Sequence, residues 1–500
     1  MVQGTGSYVG KSVIVSALCR IFKQDGFRVA PFKAQNMALN SFVTREGNEM
    51  GRAQVVQAEA AGIEPNVDMN PILLKPSGDV KAQVIVKGKP IGNMSGKEYY
   101  RHRSKFLGII KESFRRLRDN YDIVVIEGAG SPAEVNLRKS DLVNMRMAKI
   151  ADCPVILAGD INLGGVFAWL TGTLDLLTAS ERRRVKGVII NKFRGDINIL
   201  KPGLDFLARR IKRPVLGVIP YFHDIRIPEE DSISKERYSL FDESRREGKI
   251  NIEVLYLPHI SNFTDFDPLE KEPGVHLRYI VPGGKIGAPD CIIIPGSKNT
   301  IDDLSYLKNS GLAEAVIDNV KRGVAVAGIC GGYQMLGREI RDPYRAESKR
   351  RAMTGLGILP LATTILRKKV IHQVQAEDLL FGTGTLKGYE IHMGRTDFLS
   401  PLKPAFNICA RSRKTVRVSD GVTSKDKKVW GTYIHGLFEN DRFRGKFLDY
   451  LRKGTDRGRQ RSGIKKDPRS FLEAKEKEYD KLAALVRKNL DMRKIYSLLG

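Results

Sequence analysis

The chain has 500 residues, 42% of them hydrophobic, and a formal net charge of +27 from 84 Lys and Arg against 57 Asp and Glu. Such a length suggests two to four domains at roughly 100–200 residues each, and no apolar run approaches the ~20 residues of a membrane span. The five cysteines (Cys19, Cys153, Cys291, Cys330, Cys409) are scattered, show no paired metal spacing, and by their low number fit a reducing cytoplasm.

At the N-terminus Gly4, Gly6, Gly10 and Lys11 interrupt any apolar segment, so no signal peptide is expected. The run Gly4-Thr5-Gly6-Ser7-Tyr8-Val9-Gly10-Lys11-Ser12 precedes an apolar helix containing Val13, Ile14, Val15, Ala17 and Leu18. Glycines let backbone N–H groups converge on phosphate oxygens. Lys11 would reach the β- and γ-phosphates, and the Ser12 hydroxyl would ligate Mg²⁺. The match departs from the general pattern at Thr5, where Gly is usual, with Gly4 one place early. Only three residues precede Gly4, against the ~5 of a typical strand. The first strand is therefore short, or the chain start is internal.

Short β-rich runs follow at Asp122–Ile126, Pro154–Ala158, Gly187–Ile190 and Val215–Ile219, most ending in Gly, Asp or Asn. These read as strands of a buried parallel sheet with helical segments between them, an α/β domain. Glu127, at the end of the first run and followed by Gly128-Ala129-Gly130, is placed to hold the metal. Asp160 is a second candidate, and Asn191 is placed to read a base edge. From Pro228 to Lys249 the chain turns charged and reads as a linker. A second α/β pattern comprises Ile252–Leu257, Cys291–Ile294, Val324–Ala327 and a late run at Trp430–Ile434.

Val324-Ala325-Val326-Ala327-Gly328-Ile329-Cys330-Gly331-Gly332 is a strand running into a Gly-flanked turn and then an apolar helix, the layout of a nucleophile elbow with Cys in place of Ser. The turn exposes the sulfur, the following helix start favours thiolate, and neighbouring N–H groups can hold an oxyanion. Among seven histidines, His435 follows the late strand and is favoured as base. His392, inside a strand-like alternation, and His259 remain alternatives. A basic segment near Lys453–Arg469 leads to a final amphipathic helix with Leu482, Leu485, Val486 and Leu490 on one face. The positive charge would suggest nucleic acid, but it is spread along the chain. The tail mixes both signs (Glu473, Lys477, Lys481) as a solvated helix face does and lacks interleaved aromatics, so no specific nucleic-acid partner is expected.

Gly-Ile-Cys-Gly-Gly with a downstream His resembles the triad-type (class I) glutamine amidotransferases. The phosphate loop with Glu127-Gly-Ala-Gly resembles the dethiobiotin-synthetase-like ligases. Pro31-Phe32-Lys33-Ala34-Gln35-Asn36-Met37, Met69-Asn70-Pro71-Ile72-Leu73-Leu74-Lys75-Pro76, Pro295-Gly296-Ser297-Lys298-Asn299-Thr300 and Tyr433-Ile434-His435-Gly436-Leu437-Phe438-Glu439 narrow the resemblance to the cobyric acid synthase family. It implies two doubly wound α/β domains: a P-loop synthetase over 1–228 and an amidotransferase over 251–445. A linker at 229–250 and a basic helical extension at 446–500 complete the segmentation. It also implies Cys330 as nucleophile, His435 as base, and Gly296 and Gly331 at the oxyanion or glutamine. The implied reaction uses ATP, Mg²⁺ and glutamine to amidate the b, d, e and g carboxylates of adenosylcobyrinic acid a,c-diamide. Lys33, Arg52 and Lys75 could attract that anionic corrinoid, and Asp141 is a further active-site acid. The chain departs from the family pattern at Asn162 and Leu163, where Asp and Arg are usual. It also carries Leu437 two residues after His435, where many triad amidotransferases carry Glu, so either Glu439 orients the base or the site is a dyad. The rival readings are a cobyrinic acid a,c-diamide synthase, a glutaminase-inactive scaffold and a partitioning-type ATPase that binds nucleic acid.

Overall fold

The computed structural model describes residues 1–76, 81–228, 245–453 and 470–499. Most of the linker and nearly all of the basic segment lie outside them. The chain divides into two units. One is drawn from Met1–Ala38, Met50–Glu230 and Ala474–Gly500, the other from Leu39–Glu49 and Asp231–Glu473. In this division residues 39–49 group with the amidotransferase half, and the expected C-terminal extension is split, its part from Ala474 onward grouping with the first unit. No helix among the described residues is long and apolar enough to cross a membrane.

In the first unit, four parallel strands run in the order Val2–Gly4, Val155–Asp160, Val185–Phe193, Val215–Pro220. The parallel pair Val29–Phe32 and Ile123–Ile126 joins them through a bridge between Val2 and Glu127. The opening strand has only three residues, yet all are buried. Central position compensates for its length, since both neighbours supply ladder hydrogen bonds. The middles of the strands are apolar and buried, as in Val155–Ala158 and Val188–Ile190, because helices cover parallel sheets on both faces. A separate four-stranded sheet is made by Gln35–Met37, Ile72–Pro76, Lys81–Val86 and Lys89–Ser95.

The last long helix, Phe471–Asn489, gives this unit part of its core. Tyr479, Leu482, Ala483, Val486 and Leu490 join Ile14, Leu18 and Phe22 of the helix Lys11–Gln24 in one apolar cluster. Fully burying a leucine such as Leu482 contributes about 1.5–3 kcal/mol. Polar contacts fix the register: Arg20 pairs with Glu476 and Asp480, and Tyr479 donates to Glu59 at 2.7 Å. The charged residues of this helix serve in part as these anchors, while Lys481 stays exposed beside Glu478.

The second unit has a six-stranded sheet ordered Val275–Ile280, Ile250–Leu255, Cys291–Ile294, Ala325–Ile329, Val429–Thr432, Val422–Thr423, parallel except for the last strand. Beside it runs a long antiparallel hairpin, Leu361–Asp378 with Gly384–Phe398. One face of this hairpin is polar, which hides its length from a reading of apolar runs. After Thr432 the chain leaves the parallel sheet, and Ile434–His435 pairs with the hairpin, Tyr389 opposite His435. That switch between sheets places the histidine.

Candidate functional site

In the first unit the phosphate-loop residues converge on one carboxylate. Gly10 caps the helix Lys11–Gln24 in the left-handed region, φ 94°, a conformation glycine adopts at little cost. A side chain there would collide with the amide of Asn191. Ser12 Oγ donates to Glu127 Oε1 at 2.9 Å, Lys33 Nζ lies 2.8 Å from the same oxygen, and Gln57 Nε2 donates to Oε2 at 2.5 Å. Lys11 Nζ bridges the carbonyls of Gly6 and Gly130 at 2.7 and 3.2 Å. Among the described residues Thr5 Oγ1, which is buried, has no hydrogen-bond partner, which leaves a hydroxyl in the loop for a ligand oxygen. Ser12 and Glu127 are the hard-oxygen donors that Mg²⁺ prefers when substrate phosphates and water complete its shell, so they fit the ion. Among the described residues no cluster of three His, Cys, Asp or Glu could hold a metal alone.

Other residues expected to meet a ligand in this unit have partners inside the protein. Asn191 Nδ2 donates to the Val9 carbonyl at 2.8 Å, so its amide buttresses the loop. Lys33 and Lys75 are buried, and the Lys33 ammonium sits on Glu127; its charge is matched inside the protein. Asp141 accepts N–H groups of Val143, Asn144 and Arg146, holding the start of the helix Met145–Ile150, and burial pushes its carboxyl pKa up. That turn presents Asn144, which the sequence reading missed. Its side chain bonds both N–H and C=O of Ala129, at 3.2 and 2.7 Å, and so grips the Glu127–Gly130 loop. Asp160 is paired with Lys192 at 2.8 Å, and Leu163 stands exposed on the loop after it.

In the second unit Cys330 follows the strand Ala325–Ile329 with φ 51° and ψ −105°, a conformation costly for a residue with a side chain. The turn is this sharp because the chain enters the short helix Gly331–Met335 at once. A Cβ on Gly332 would overlap the Ile294 carbonyl, so only glycine lets the elbow sit against the neighbouring strand. Gly296 and Gly331 line the same corner: a Cβ on Gly296 would meet His435 Cε1 at 3.2 Å, and one on Gly331 would meet Ser297 N at 2.8 Å.

His435 is 1% exposed. Its Nδ1 lies 2.6 Å from Asp265 Oδ2, and Asp265 Oδ1 accepts the Gly436 N–H at 3.0 Å. Among the described residues the buried Nε2 has no partner in full hydrogen-bonding geometry, while the Cys330 side chain is near enough to act on the ring. Burial by itself would lower the His435 pKa, but the Asp265 carboxylate and then Cys330 outweigh it and raise the value to about 10. Asp265, on the 3₁₀ turn Phe263–Phe266, thus takes the orienting place left open between Glu439 and a dyad. Its signal in the sequence was an acid set between two core phenylalanines. The alternative bases are engaged elsewhere. His259 Nδ1 is 2.8 Å from Asp303, and His392 Nδ1 is 2.8 Å from the Gly394 carbonyl with its ring stacked on Tyr433.

Comparisons with known proteins agree with this division of labour. Residues 1–234 match the CobQ/CobB/MinD/ParA nucleotide binding domain, and residues 251–443 match the CobB/CobQ-like glutamine amidotransferase domain. Over its full length the chain is 51% identical to a cobyric acid synthase of Caldanaerobacter subterraneus subsp. tengcongensis, covering 98% of that protein. It is 50% identical to that of Pelotomaculum thermopropionicum, covering 96%.

Proposed function

Because the chain belongs to the cobyric acid synthase family and is a glutamine-dependent ligase with a nucleotide-binding domain, we propose that it amidates the b, d, e and g carboxylates of adenosylcobyrinic acid a,c-diamide, using one ATP and one glutamine per amide. The observation that carries the reading is the meeting of Cys330, His435 and Asp265 at the junction of two sheets, in a chain that also carries a phosphate loop closed on Glu127.

Cys330 Sγ attacks the side-chain carbonyl carbon of glutamine as a thiolate, and the carbonyl oxygen takes the charge beside Gly331 and Gly296. The Asp265 carboxylate keeps His435 protonated at neutral pH, so the ring gives its Nε2 proton to the departing nitrogen and ammonia leaves. The ring then takes a proton from water, whose oxygen attacks the thioester carbonyl and releases glutamate. In the nucleotide unit the γ-phosphoryl of ATP passes to a substrate carboxylate oxygen, and ammonia displaces phosphate from the resulting acyl phosphate. Lys11 balances charge on the transferred group. Mg²⁺, held by Ser12 and Glu127, would supply further charge neutralisation there. Gln57 and Lys33 keep Glu127 oriented, and Asn191 and Asn144 hold the loops on either side.

The test is the product mass after incubation of purified protein with ATP, glutamine and the a,c-diamide. Four successive losses of one mass unit, each replacing OH by NH₂, are expected. No mass change with the a,c-diamide, together with two such losses when unamidated cobyrinic acid is supplied in its place, would support the diamide synthase instead.

A further inference from the structure

We infer that residues 39–49 form an arm whose Ser41 backbone positions the His435–Asp265 pair through Asn262 and Tyr389. The inference rests on Cys330 and His435 being the glutaminase pair. The chain before and after the arm belongs to the nucleotide unit, but the arm itself belongs to the amidotransferase unit.

Its two short strands, Ser41–Val43 and Glu49–Gly51, pair with each other, and the arm is seated on the long hairpin. Val43 shares an apolar cluster with Ile371, Tyr389 and Ile391, flanked by Phe42. At its far end Glu49 pairs with Lys369 at 2.6 Å, both side chains buried. Such a pair is strongly destabilising to break once formed, which argues for a fixed seat over a casual contact. Arm residues 40 and 41 sit against the glutaminase machinery. The Ser41 N–H donates to Asn262 Oδ1 at 3.2 Å, Asn262 Nδ2 donates to the Tyr389 hydroxyl at 3.0 Å, and that hydroxyl donates back to the Ser41 carbonyl at 3.4 Å. Thr264 Oγ1 reaches Asn40 Oδ1 at 3.5 Å.

Both side-chain partners of Ser41 bear on the proposed catalytic pair. Asn262, at φ 54°, caps the turn Phe263–Phe266 that carries Asp265, and its carbonyl accepts the Asp265 N–H at 3.0 Å. The Tyr389 ring lies nearly parallel to the His435 ring, 17° apart with centroids at 5.3 Å, and is its cross-strand neighbour. The backbone N–H and C=O of one arm residue therefore close a ring of contacts that fixes the carboxylate from one side and the imidazole from the other. Glutamine hydrolysis is thereby tied to a segment encoded within the nucleotide half. Tyr389 and Asn262 are positioning residues, as groups behind a catalytic histidine commonly are.

The test compares Tyr389→Phe, Asn262→Ala and the double variant in the full chain. Tyr389→Phe keeps the ring on His435 and leaves Asn262 in place, so it reports even if Asn262→Ala weakens the turn. Each single variant is expected to lower kcat for glutamine hydrolysis about tenfold, the worth of one well-placed hydrogen bond. The glutamine KM should stay within about twofold and amidation from free ammonia should be unchanged. The double variant should fall no further than the weaker single, because both act through Ser41. Wild-type kcat in Tyr389→Phe, a change confined to KM, or additive losses would overturn the inference. Glutamine hydrolysis surviving in Cys330→Ala would overturn the underlying reading instead.

Discussion

The two sites solve opposite problems. Around Glu127 the protein gathers charge and hydrogen-bond donors: Lys33, Ser12 and Gln57 all point at one buried carboxylate, and the loops are held by side-chain amides. Around Cys330 it stores backbone strain, with a positive φ at the cysteine itself and glycines forced by close approach. A phosphate ligand brings its own charge, so its site needs compensation and adaptable loops. A thioester intermediate needs one atom aimed accurately, so its site needs rigidity. Substitutions should therefore fail differently in the two places.

The largest effect is expected from Lys11→Ala, which should lower amidation with either nitrogen donor by more than about 10³-fold, the scale of losing a phosphoryl-transfer cation. Glutamine hydrolysis, measured as glutamate release, should persist. If amidation survived, the loop would not be the catalytic nucleotide site. Next, Asp265→Ala should lower glutamine-dependent turnover about 100-fold and leave ammonia-dependent amidation alone. Equal loss from both donors would remove the separation between the sites.

A pH profile sharpens the contrast further. The His435 pKa is raised from 6.5 to about 10, so the imidazolium persists well above neutrality. Glutamine hydrolysis should hold from pH 7 to 9 and fall as pH rises through about 10. The stability contributed by the His435–Asp265 pair is full below about 6.5 and is lost over the same upper window. In Asp265→Ala the falling limb should move to lower pH; a limb that stays in place would mean another group titrates. The smallest effect concerns the +27 charge. Any association with duplex DNA should fade steeply between low and physiological salt and leave amidation unchanged, as titration of labelled duplexes at several salt concentrations would show. Sequence-preferring binding that survives physiological salt would give the basic surface a second role.

How much was legible in the sequence follows from how local each feature is. The strand Cys291–Ile294 appears at the expected bounds, because an apolar run between polar residues needs no distant information. The elbow was legible for the same reason: Gly328, Cys330, Gly331 and Gly332 are contiguous. Asp265 was not, since it sits on a short turn 170 residues from His435 and only the tertiary fold brings them together. The burial of Lys33 against Glu127 was not legible for the same reason, since the strand that ends at Glu127 lies 94 residues away. The arm at 39–49 was read as part of the synthetase because sequence adjacency says nothing about which core a segment joins.

The separation of the two chemistries is the central claim, and Cys330→Ala tests it most directly. Product masses would be compared for this variant and the wild-type chain, each given ATP and the a,c-diamide with either glutamine or ammonium as nitrogen source. The account predicts no new amide from glutamine and amidation from ammonium close to the wild-type level. Loss of product with both donors, or retention with glutamine, would contradict it.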